Sequence, residues 1–215
     1  MTSLGFWSFI SKRGTMTISI RDQLIEAAEQ QFRRFGYRRT TVEDVTRTAE
    51  MGKGSFYLHF PSKEAAYMTV VEGSLERFLT KADTALHSPG SVPQRLRALV
   101  AVTADHYGND ELLRASLFGE AALVDGSVAR RAAEIQRSEI RELLAEALAE
   151  GKRDGSIRTD LDVEATAAVL FEIGWAVVRS ELVGSSDLPL EVALDTLNDI
   201  VGLGLIARNP EVTTP

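Results

Sequence analysis

The run Lys53-Gly54-Ser55-Phe56-Tyr57-Leu58-His59 gathers an ammonium, a hydroxyl, a phenol and an imidazole within seven positions. No nucleophile motif, glycine-rich phosphate loop or metal-ligand spacing accompanies them. His59, His87 and His106 stand far apart, and cysteine is absent, so neither a metal nor a cofactor is expected. Acidic pairs such as Glu139 and Glu142 read as a solvated helix face. What remains is recognition chemistry rather than catalysis: hydrogen bonding and neutralisation of anions. At helical spacing Phe56 and Phe60 point one way and anchor the segment. Lys53, Gly54, Ser55, Tyr57 and His59 point the other way, small or hydrogen-bonding enough for a DNA major groove about 12 Å wide.

Such a segment has to be held by its neighbours. Ser19 followed by Asp22 predicts a helix start, and Leu24, Ile25, Ala28, Phe32 and Phe35 form one apolar stripe that Gly36 stops. Thr41 with Asp44 repeats the capping signal for a short second helix whose inner face is Val42, Val45 and Ala49. The recognition segment, about residues 52–60, ends at Pro61, and Ser62 caps a long fourth helix reaching Ser88-Pro89-Gly90. Two short helices, a tight turn and a following proline are the layout of a helix-turn-helix. Three helix starts fall in this stretch, at Thr41, Gly52-Lys53 and Ser62-Lys63, each with a hydroxyl or lysine close by. Helix starts attract phosphates, and a lysine there opposes the helix dipole unless an anion occupies the site. Tyr57 fits a phosphate contact better than core packing, because Phe56 and Phe60 already fill the inner side. Arg38, Arg39 and Arg47 fit a backbone contact and a solvated face equally.

The net charge of −7 divides unevenly. Residues 1–66 carry +3 and residues 67–215 carry −10, so the basic head suits phosphate and the acidic remainder should face away from it. The lack of cysteine fits a cytoplasmic protein, and no apolar run approaches the roughly 18 residues of a membrane span. Residues 1–16 read as a disordered extension, with Met16 as an alternative start. The other reading makes Lys12-Arg13 and Arg21 a basic arm for a minor groove.

On these residues the chain resembles the TetR-type repressors. The match runs from Ile25-Glu26-Ala27-Ala28 to Phe32, through Phe35-Gly36-Tyr37 and Thr40-Thr41-Val42, to Lys53-Gly54-Ser55-Phe56-Tyr57-Leu58-His59-Phe60-Pro61-Ser62-Lys63-Glu64. Gly151, Gly155 and Ile157-Arg158 later in the chain are also typical. The resemblance implies a three-helix DNA-binding head over 17–64 and a larger body over 65–215 that binds a small effector and forms a homodimer. It implies a repressor of a palindromic operator, released by that effector. Carried over by position, Thr41, Lys53, Ser55, Tyr57, His59 and Lys63 become DNA contacts, with Arg38, Thr40 and Gly54 completing the candidate set. Two positions depart from the pattern: Glu50 stands where glycine is usual in the turn, and Gly52 where a serine or threonine cap is usual. A non-glycine turn there is expected to be strained.

The rest of the chain is helical in period throughout: an all-α protein of about nine helices. After the fourth come helices over 91–106, a short piece near 110–117, and helices over 127–154, 162–182 and 190–207, with Gly151 and Gly155 ending the third of these. The last two carry Val169, Leu170, Ile173, Gly174, Val177 and Val178, then Val192, Leu197, Ile200, Val201, Leu203, Gly204 and Leu205. That is more apolar surface than a small body buries alone, and a two-fold homodimer is the usual outlet. Ala167, Gly174, Gly202 and Gly204 would allow close approach there. Phe78, His106, Tyr107, Phe118, Phe171 and Trp175 have the size to line an effector pocket.

Overall fold

Ser19 opens the first helix as its spacing predicts, accepting from the Asp22 backbone N–H at 3.1 Å. The computed structural model describes residues 19–112, 114 and 126–206. Within them lie eight helices: α1 (Ile20–Arg39), α2 (Val42–Thr48), α3 (Lys53–His59), α4 (Lys63–Leu86), α5 (Val92–Asn109), α6 (Gly126–Asp154), α7 (Val163–Leu182) and α8 (Leu190–Leu205). No strand occurs among the described residues. The short helix expected near 110–117 begins with the Arg114 N–H on the Asp110 carbonyl, 2.9 Å, and then passes outside them. The extension over 1–16 also lies outside.

The head is built on local signals that the backbone obeys. Gly36 takes φ +75°, a left-handed value that breaks α1 and leaves one further turn, Tyr37–Arg39, to close on Thr40. Leu24, Ala28 and Phe32 are buried as the stripe requires. Phe35 is not. It sits at the break, exposed, with the Arg34 guanidinium 5.0 Å from its ring. Thr41 and Asp44 make a reciprocal capping box, Thr41 N–H to Asp44 Oδ2 at 3.0 Å and Asp44 N–H to Thr41 Oγ1 at 3.2 Å. The turn into α3 holds Glu50 at φ +54°, the only non-glycine residue with positive φ among those described.

α4 joins head to body and is buried on more than one side. Ala66, Tyr67, Val70 and Ser74 join Val71, Leu75, Phe78, Ala82 and Leu86 in the interior, because α1 packs on one side of α4 and α5 and α6 on others. No structural break falls at residue 64, since α4 is continuous through it.

In the body, α6 lies along α7, and α5 contacts α4, α7 and α8. Two glycine expectations change. Gly151 does not end α6, which continues to Asp154 and stops at Gly155, φ +78°. Gly151 is instead a contact point: a Cβ there would lie 2.9 Å from Val92 Cγ2. Gly174 likewise serves packing inside the chain, with Val100 Cγ2 at 3.2 Å from a built Cβ. No helix among the described residues is long and apolar enough to cross a membrane.

Candidate nucleic-acid interface and body cavity

α3 is seven residues long and depends on its inner side. Phe56 and Phe60 are buried with ring centroids 5.6 Å apart, and the Arg21 guanidinium sits 5.3 Å over the Phe60 ring. This arrangement turns Lys53, Gly54, Tyr57 and His59 outward, all exposed, with Ser55 half-buried. Tyr57 is 57% exposed and packs edge-on against Phe56, which steadies its ring. Leu58, 85% exposed, also faces outward, although its aliphatic side chain carries no signal of phosphate chemistry.

The three helix starts converge through two lysines. Lys53 at the start of α3 pairs with Glu43 in the first turn of α2. Lys63 at the start of α4 donates to the Tyr37 and Thr40 carbonyls, 2.8 and 2.9 Å, and lies 4.2 Å over the Tyr37 ring. The start of α2 is therefore flanked by both. Thr41 is exposed at that point, and Arg38 and Arg39 lie exposed at the end of α1.

Two expectations are revised. Thr40 is 1% exposed, and its hydroxyl donates to the Gly36 carbonyl at 2.8 Å, with the Gln31 carbonyl at 3.2 Å. Its side chain secures the break after Gly36 and has no free surface. By its place at the start of α4, Lys63 opposes the dipole of that helix, which suggests a phosphate. The structure supplies another partner: the carbonyls at the end of α1, where a cation is favoured. Two of its three N–H donors are engaged inside the head. Burial holds the Lys63 ammonium below its ordinary pKa.

The body holds a cavity between α5, α6, α7 and α8, lined also by Phe78 of α4. The space there that admits the centre of a water-sized sphere is about 50 Å³. Phe78, Phe171 and Trp175 line it as expected. His106 and Tyr107 do not. They lie further along α5 than Leu96, Leu99, Val100 and Thr103, which form its wall, and stack behind Phe78 at 5.3 Å each. Tyr107 also packs edge-on against Trp175 at 5.4 Å. Phe118 lies outside the described residues. Polar wall residues were missed in the sequence. Gln136 is a turn before Ile140 and two before Leu144 on α6, so it shares their inward face, a spacing that could have found it. Asn198 has only Leu197 and Val201 beside it as a sign.

Behind the cavity, the His106 ring is buried and its Nε2 has no hydrogen-bond partner. Burial pushes its pKa below the ordinary 6.5 against the pull of Asp110. Asp110, at the end of α5, accepts from Arg33 of α1 and from Ser74 of α4.

Outer faces of α7 and α8 remain apolar and uncovered. Ala165, Val169, Ile173 and Ala176 recur along α7, and Val192, Ile200 and Leu203 along α8, all exposed. Ile200 is 63% and Leu203 80% exposed. Of the remaining candidates, Val178, Gly174 and Leu205 are buried, while Leu170, Leu197 and Val201 wall the cavity.

Comparison with known proteins supplies independent findings. The family model described as "Bacterial regulatory proteins, tetR family" matches residues 24–65. The HTH-type transcriptional repressor KstR2 of Rhodococcus jostii is 31% identical over 186 residues, covering 82% of this chain and 84% of that protein. Among solved structures, reduced NemR of E. coli is 25% identical with a TM-score of 0.65, covering 88% of this chain and 98% of that one. FadR of Bacillus subtilis in complex with stearoyl-CoA shares the fold at 18% identity and a TM-score of 0.64, covering 85% and 97%.

Proposed function

Since the chain belongs to the TetR family of bacterial regulatory proteins, we propose that it is a homodimeric repressor whose paired heads bind a palindromic operator and whose body cavity takes a small effector. One observation carries the reading. The exposed groups of α3 stand on a helix anchored by two buried phenylalanines, beside the clustered starts of α2 and α4. Thr41, Lys53, Ser55, Tyr57 and His59 are the DNA contacts, with Arg38 and the backbone at Gly54 beside them. Lys53 neutralises phosphate, and Tyr57 presents its hydroxyl to the backbone on a ring that Phe56 holds still. Contacts of this kind set register on the duplex, and base edges set sequence preference. Lys63 acts first as the brace between α4 and α1.

Dimerisation uses the outer faces of α7 and α8. An isologous two-fold contact would cover Val169, Ile173, Ile200 and Leu203 with their counterparts and would set the two heads at a fixed spacing. Paired heads read half-sites about one helical turn, roughly 34–36 Å, apart. That KstR2 is named a repressor supports repression here, and the FadR complex with stearoyl-CoA shows that a protein of this fold takes a small ligand. The effector acts by favouring the arrangement whose heads do not fit the operator.

Sedimentation of the protein with a labelled duplex from its own promoter tests the assembly. The expected result is a free dimer and a complex holding an even number of protomers per palindrome. A monomer that binds one half-site as tightly as the full palindrome contradicts it.

A further inference from the structure

Two side-chain amides stand in the cavity wall, and one of them has an unmet acceptor. Gln136 on α6 is 3% exposed and lines the cavity. Asn198 on α8 also lines it, and its Oδ1 is buried without a partner. The Thr103 hydroxyl, by contrast, is engaged with the Leu99 carbonyl at 2.7 Å. Most of the remaining wall is aliphatic or aromatic. A buried acceptor without a partner is costly, so Asn198 Oδ1, sharing a cavity with a second side-chain amide, calls for a complementary guest.

The wall's charges restrict what that guest is. Arg97 is the only charged residue among the described residues of the wall, and it already joins Glu191 at 2.7 Å and Asp195 at 2.8 Å. An anionic head would meet a guanidinium already held between two carboxylates. A cationic head would find no carboxylate among the described wall residues. Either charge would lose its hydration in an apolar enclosure without compensation.

We propose that the cavity binds an uncharged, largely apolar molecule whose hydroxyl pairs with Gln136 and Asn198, an inference that rests on the cavity being the effector site. A hydroxyl both donates and accepts, so it satisfies an amide whichever end is presented. An ester, thioester or ketone only accepts and leaves Asn198 Oδ1 unmet.

Three probes with the same ten-carbon chain test this by calorimetric titration of the full-length protein: 1-decanol, decanoate and decanoyl-CoA. Decanol is expected to bind at least tenfold tighter than either of the others. Gln136→Leu and Asn198→Leu should each weaken decanol by about tenfold while leaving decanoate nearly unchanged. Both ligand-free leucine variants should remain fully folded at the titration temperature, as thermal melts will show. Equal or tighter binding of decanoate or decanoyl-CoA, no binding of any probe, or unchanged decanol affinity in both leucine variants overturns the proposal. Filling the cavity with Leu170→Trp, or Val201→Phe should the first not fold, separates it from the reading beneath. Wild-type decanol affinity in a folded filled variant moves the ligand elsewhere and removes the cavity as effector site. Loss of binding there, without the alcohol preference in the wild type, leaves the cavity in place and removes only the ligand chemistry.

Discussion

Arg33 on α1 and Asp110 at the end of α5 meet in a two-point ion pair, Nη1 to Oδ1 at 3.1 Å and Nη2 to Oδ2 at 2.9 Å. Ser74 of α4 donates to the same carboxylate, so one acid joins the DNA-binding head, the connecting helix and the body. The Asp110 side chain is nearly enclosed while Arg33 is about one-third exposed (8% and 34%), which leaves solvent to screen part of the interaction. A double-mutant cycle with Arg33→Met and Asp110→Asn should give a coupling of about 1–2 kcal/mol in urea unfolding. A coupling indistinguishable from zero would mean that the pair adds nothing to head–body docking.

Glu50 occupies a left-handed backbone conformation that glycine adopts without a Cβ penalty. Glu50→Gly should therefore stabilise the fold by about 1 kcal/mol, read as a higher urea midpoint with unchanged slope. It also removes a negative charge near the proposed phosphate path, so operator affinity should hold or rise. A lower midpoint contradicts the strain assigned to this turn.

Lys53 and Lys63 separate a binding lysine from a bracing one. Lys53→Ala should leave the melting temperature almost unchanged and reduce the salt slope of operator binding by about one. Lys63→Met removes the cation from the Tyr37 and Thr40 carbonyls and should lower stability by about 1 kcal/mol. Thermal melts beside salt titrations of both variants check this; the reverse assignment of effects would refute it.

His106 links stability to pH. Its folded pKa is depressed by burial below 6.5, with Asp110 pulling it up and Lys81 and Arg77 pushing it further down. Below about pH 6.5 the unfolded chain therefore binds a proton that the folded chain resists, and stability falls as pH falls. His106→Phe should flatten the decline in melting temperature between pH 7 and 5.5 relative to the wild type. Parallel declines in the two proteins would exclude His106 as a source.

The head was legible because its signals are local. Ser19 with Asp22, Thr41 with Asp44, Gly36 and Pro61 each act within a few residues, and the backbone follows each of them. Phe56 and Phe60 were assigned to the inner side by spacing alone. What was not legible depended on residues distant in sequence. Nothing near Lys63 announces the carbonyls of residues 37 and 40, and nothing near Thr40 announces that its hydroxyl turns back toward Gly36 and Gln31. In the body, aromatic size alone did not separate Phe78, Phe171 and Trp175 from His106 and Tyr107. Their separation depends on how far along α5 the cavity extends.

Fluorescence anisotropy with a labelled duplex from the protein's own promoter, comparing the wild type with Tyr57→Ala, tests the central claim most directly. Tyr57 is exposed and, among the described residues, its ring packs on Phe56, so its loss should leave fold and assembly intact. The account predicts specific wild-type binding that weakens steeply with salt, and a loss of at least tenfold in Tyr57→Ala at an unchanged sedimentation coefficient. Wild-type binding equally tight to a scrambled duplex, or full operator affinity in Tyr57→Ala, would contradict it.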